Sequence, residues 1–131
     1  MSEKRVEVIL VRQLAGYLAT PMLVVNPVGT LLFFNEPAEI LLGKRFDEVG
    51  ELPASAWSSV FAASDTDGAP LPAEEFPLLV ALARQTHAHR AFWIRGMDGK
   101  RRHIEVAAFP LIGFEGTPLG AVATLWESAP R

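Results

Sequence analysis

The sequence predicts an α+β fold: a five-stranded antiparallel sheet with helices packed on one face, preceded by an N-terminal amphipathic helix. Three observations carry this expectation. Two short apolar runs, residues 22–25 and 30–34, flank Asn26-Pro27-Val28-Gly29, in which the proline presets φ and the glycine accepts a positive φ, so the runs form a hairpin. Late in the chain the pattern changes: residues 88–95, 101–111 and 119–126 are strand-length and rich in Val, Ile, Phe and Trp, with turns at Asp98-Gly99 and Glu115-Gly116. Helical patterns fall between these two groups of strands, so the economical arrangement closes one sheet from both ends of the chain and lays the helices across one face.

The elements follow in order. Residues 3–19 place Val6, Ile9, Leu10, Leu14, Tyr17 and Leu18 at the spacing of an amphipathic helix, and Val8, Val11 and Ala15 widen the stripe. A helix so apolar either lids its own sheet or covers a partner, which makes those six residues dimerisation candidates. Thr20-Pro21 ends it, because the residue before a proline is pushed out of the α region. After the hairpin, Asn35 is a helix N-cap, Glu36 and Pro37 suit the first turn, and Gly43 is the stop.

Residues 44–61 read as short helical turns, with Trp57, Val60 and Phe61 as their apolar side. Residues 63–70 are loop; Asp65 and Asp67 echo a calcium loop, but the remaining oxygen ligands are missing, so the reading is an acidic turn. A further helix begins near Pro77 and runs to residue 85, with Glu74 and Glu75 at its positive end and Leu78, Leu79 and Leu82 toward the core. The expected organisation is thus a helical segment over residues 1–19, one domain over 20–128 and a tail over 129–131.

Composition excludes several classes of function. With 131 residues, half of them hydrophobic, the chain suits one domain with a core. No apolar run approaches the roughly 20 residues of a membrane span, and the N-terminal segment lacks the uninterrupted apolar centre of a secretory signal, so the expected location is cytoplasmic. The absence of cysteine excludes disulfides, thiolate metal sites and a cysteine nucleophile. A net charge of −3 gives no general attraction to nucleic acid, and Lys100-Arg101-Arg102-His103 reads as a solvated turn and strand start. No nucleophile–base pair, helical metal-ligand pair or phosphate-binding glycine loop falls on a suitable element, so the protein is not expected to be an enzyme.

Three stretches carry a family resemblance. VVNPVGTLLFFNEPAEILLG (residues 24–43), DGAPLPAEEFPLLVALARQT (67–86) and IRGMDGKRRHIEVAAFPLIGFEGTPLGAVATLWE (94–127) resemble, in this order and spacing, the first strands and capped helix, the segment before the third strand, and the closing strands of the PAS domain. The chain departs from the family's usual Asp-Ile-Thr-like ending, having Trp126-Glu127-Ser128 there. The resemblance implies a sensory or protein-interaction module of bacterial signal transduction, dimerising through the N-terminal helix and docking a signalling partner. The alternative is a small-molecule sensor or carrier holding an apolar ligand or haem between sheet and helices, with no cofactor required.

For that pocket the candidates are Phe33, Phe34, Leu42, Trp57, Phe61, Leu79, Leu82, Trp93 and Phe109, which serve equally as filling for a close-packed core. Flavin–cysteine photochemistry is excluded by the lack of cysteine. Haem-binding relatives use a histidine on the helix before the third strand; residues 77–85 contain none, which leaves His87 and His89 as weak axial-ligand candidates. An isomerase of related shape needs an ionisable residue buried in the cavity, and none of the inward strand positions offers one.

Overall fold

A computed structural model of the chain describes residues 19–96 and 98–130, together with Leu10, Gln13 and Leu14. The hairpin forms where its turn chemistry requires. Strands β1 (Met22–Val25) and β2 (Leu31–Phe34) pair antiparallel. Between them the Gly29 N–H donates to the Asn26 carbonyl at 2.9 Å, and Asn26 Oδ1 accepts from the N–H groups of Val28 and Thr30. The closing meander consists of β3 (Ala88–Arg95), β4 (Arg101–Ile112) and β5 (Pro118–Glu127).

All five strands form one antiparallel sheet in the order β2-β1-β5-β4-β3, so the first and last strands in the chain lie side by side at its centre. Their register runs from Met22 opposite Thr124 to Val25 opposite Ala121, and all four residues of β1 are buried. This approach depends on Gly120 at φ 132°, where a Cβ would collide with the Val25 carbonyl oxygen.

The helices cover one face, as expected. They are α1 (Glu36–Leu42), α2 (Phe46–Val49), α3 (Trp57–Phe61) and α4 (Pro77–Arg84), with 3-10 turns at Ala54–Ala56 and Ala73–Glu75. Asn35 caps α1 by accepting the Ala38 N–H, and Gly43 ends it at φ 79°. Glu74 and Glu75 lie just before α4, as expected, in the 3-10 turn that leads into it, and the Glu75 carboxylate accepts from Arg90 of β3 at 2.8 Å. Pro77 occupies the first helical position, where its missing N–H costs no hydrogen bond.

Alternation along the strands divides the side chains between two faces. Leu23, Phe34, Phe92, Ile94, Ile104, Val106, Ala108, Ala123 and Leu125 join the helices in the main core. Met22, Val24, Leu119 and Val122 form a second apolar cluster with Leu32, Phe33 and Leu111 on the opposite face. Leu10, Gln13 and Leu14 are helical; Val6, Ile9, Tyr17 and Leu18, and with them most of the expected helix over residues 3–19, lie outside the described residues. Among the described residues no helix is long and apolar enough to cross a membrane.

Candidate functional site

A cavity of about 50 Å³ lies between the sheet and the helices. Every strand contributes to its floor, through Leu23, Leu31, Phe92, Ile94, Ile104, Val106 and Leu125. Leu42 from the end of α1, Trp57 and Phe61 from α3, and Phe76, Pro77 and Leu78 from the start of α4 form its roof. The aromatic part is a relay: the Trp57 and Phe76 rings stand 5.7 Å apart, and Phe76 and Phe92 5.6 Å apart.

Trp57 Nε1 donates to the Leu52 carbonyl at 3.2 Å, which commits the one polar side-chain atom among the lining residues to the protein. Among the described residues every buried side-chain nitrogen and oxygen has a hydrogen-bond partner, so no such donor or acceptor is left over for a guest. Chemically, the cavity offers surface contact and nothing else.

Of the residues expected in the pocket, Leu42, Trp57 and Phe61 line it. Phe34 is fully buried in the same core but packs edge-on to Phe46, ring centres 5.2 Å apart, away from the cavity. Leu79 and Leu82 are partly buried at the margin of the core. Phe33, Trp93 and Phe109 are corrections: the two-residue period puts them on the opposite face, because their neighbours Phe34, Phe92 and Ala108 face the helices. The aliphatic positions Leu23, Ile94, Ile104, Val106 and Leu125 were missed in their favour. Their signal was alternation within each strand, with Ile104 and Val106 bracketing Glu105 as the plainest case.

The weak axial-ligand candidates lie away from the cavity. His87 precedes β3 and is exposed. His89 lies on the face away from the cavity, with Nε2 2.9 Å from Glu105 Oε1 and its ring stacked on Trp126. Neither imidazole is aimed between sheet and helices, so neither offers an axial ligand to the cavity. His103 is buried against Trp93, ring centres 5.0 Å apart, with Nδ1 3.0 Å from Ser128 Oγ. Among the described residues no three His, Asp or Glu side chains converge as metal ligands.

The basic run is divided by the same alternation. Arg101 lies over the Trp93 ring, 4.0 Å from its centre. Arg102 turns the other way and grips the Asp98 carboxylate through Nη2–Oδ2 at 3.0 Å and Nη1–Oδ1 at 3.3 Å. These bonds, helped by the Lys100 backbone N–H, hold the Asp98 carboxyl down from its ordinary 3.8 to about 2.

No family model and no curated protein matches the sequence. Solved structures do match. The PAS domain of BvgS from Bordetella pertussis superimposes with a TM-score of 0.68 at 17% identity, covering 97% of this chain and 90% of that one. The PAS domain of nitrogen regulation protein NR(II) from Vibrio parahaemolyticus gives 0.63 at 16% identity, covering 91% and 98%. A PAS domain from a two-component sensor histidine kinase gives 0.62 at 12% identity, covering 93% and 96%.

Proposed function

From the premise that this chain has the PAS fold, we propose that it is a sensory or protein-interaction module of bacterial signal transduction, located in the cytoplasm, acting as a homodimer through residues 3–19 and catalysing no reaction itself. The observation that carries the dimer is Leu10 with Leu14. Both are helical, they lie four positions apart in the sequence, and they are 57% and 55% exposed. A pair of large aliphatic side chains set out in water along one stripe gains by meeting its counterpart on a second chain. The signalling role is supported by the structural neighbours, which include a domain of a sensor histidine kinase and one of a nitrogen regulation protein. Its partner is a protein and not a nucleic acid: the net charge is −3, and the basic run is divided between Trp93 and Asp98.

Light scattering tests the dimer. The expected mass is twice the 14.3 kDa of one chain, falling to one chain in the Leu10→Glu, Leu14→Glu variant with its circular dichroism unchanged. A monomer before any substitution overturns the proposal.

A second reading, a sensor whose signal is a ligand held between sheet and helices, is favoured by the cavity under Trp57 and Phe76. It requires no metal and no resident cofactor.

A further inference from the structure

We infer that this cavity is selective for a small uncharged molecule without hydrogen-bonding groups, of the class of dissolved apolar gases and hydrocarbons of a few carbons. The inference rests on the second reading above and specifies the guest.

Polarity is the first selector. The lining presents carbon, and the Trp57 N–H is already bonded to the Leu52 carbonyl. A guest that carries a hydroxyl or amide leaves its water partners behind and finds no replacement. One unmade hydrogen bond of this kind weakens binding on the order of ten- to a hundred-fold relative to the apolar analogue of the same shape. Charge is excluded more strongly, because no ionisable side chain lines the cavity.

Size is the second. The space is about 50 Å³. Pockets for drug-sized ligands run from roughly 300 to 1,000 Å³, and an apolar cavity that accepts benzene measures about 150 Å³. The walls resist expansion: Leu31 and Trp57 are almost wholly buried, and the Trp57–Phe76–Phe92 relay spans from α3 through the start of α4 to β3.

Methyl-resolved NMR of the full chain under xenon pressure tests this directly. The expected result is saturable shifts at the Leu78, Ile104, Val106 and Leu125 methyls, with Val24 and Val122 on the opposite face of the sheet unmoved. Ethanol, close in size but polar, is expected to bind at least ten-fold more weakly at the same methyls, and benzene to leave them unchanged. In Val106→Leu, which places one more methylene in the cavity, xenon binding weakens several-fold; the comparison of xenon with ethanol on the unsubstituted protein stands even if that variant does not fold. Absence of saturable xenon shifts, or ethanol matching xenon, overturns the inference. Light scattering on the same samples separates it from the sensory reading: xenon at the cavity methyls without any change in oligomeric mass keeps the guest class and removes the signalling role of its binding.

Discussion

Asn35 carries more of the fold than a helix cap does. Its Oδ1 accepts from the Ala38 N–H at 3.2 Å, closing the first turn of α1, and also from the Met22 N–H at 2.9 Å, at the start of β1. Its Nδ2 donates to the Thr20 carbonyl at 2.9 Å, and the side chain is buried. Asn35→Ala removes a cap worth about 1 kcal/mol and strands two further backbone groups at about 1–3 kcal/mol each. The expected loss is about 3 kcal/mol or more by urea denaturation, and a loss near 1 kcal/mol indicates a cap alone. The capping role was legible in Asn35-Glu36-Pro37, a local pattern. The tie to β1 was not, because it joins residues 13 and 15 positions away. Asp98 shows a similar split. Its turn was legible from Asp98-Gly99, whereas its partner Arg102 read as part of a solvated basic run. Because its pKa is lowered in the folded state, the ionised carboxylate adds stability above pH 3.8 and loses that contribution as pH falls toward about 2. The gap in thermal midpoint between the unsubstituted protein and Asp98→Asn is therefore expected to be full at neutral pH and to close through that window.

Among the elements, helix ends separate what glycine marks from what it does not. Gly43 announces the end of α1, and its place is doubly constrained: φ is 79°, and a Cβ there would stand 2.5 Å from Asp98 Cγ. Helices α3 and α4 end with the same left-handed turn on Ala62 at φ 47° and Gln85 at φ 51°, where no glycine advertises it. An L-residue pays steric strain in this region. Ala62 is exposed, so Ala62→Gly is expected to raise stability by roughly 0.5–1 kcal/mol in chemical denaturation. Ala62 directly follows Phe61, which lines the cavity, whereas Gln85 ends α4 at the end away from it. Strands differ: β-branched and aromatic runs mark their extents, but the bulk of Trp93 and Phe109 does not turn them inward. Size is a poor guide where the period of two decides the face, and the smaller Phe92, Ile94 and Ala108 hold the inner positions.

For the whole molecule, the division of one sheet between the two ends of the chain was legible from helices lying between two groups of strands. Neighbour order within the sheet was not, since the pairing of β1 with β5 joins segments from opposite ends of the chain and no local pattern marks it. The cavity was likewise beyond the reach of composition, because its volume is the small remainder left by many packed side chains from every layer. The central position of β5 also bears on biosynthesis. It is the last strand in chain order, yet it is the one that joins β1 to β4. A growing chain therefore exposes an orphan hairpin and a set of unroofed helices until Glu127 has left the ribosome, and only then do both halves acquire a common interior. The domain closes late and all at once, and a chain truncated before residue 118 leaves two further unpaired strand edges, on β1 and β4, in place of a smaller folded unit.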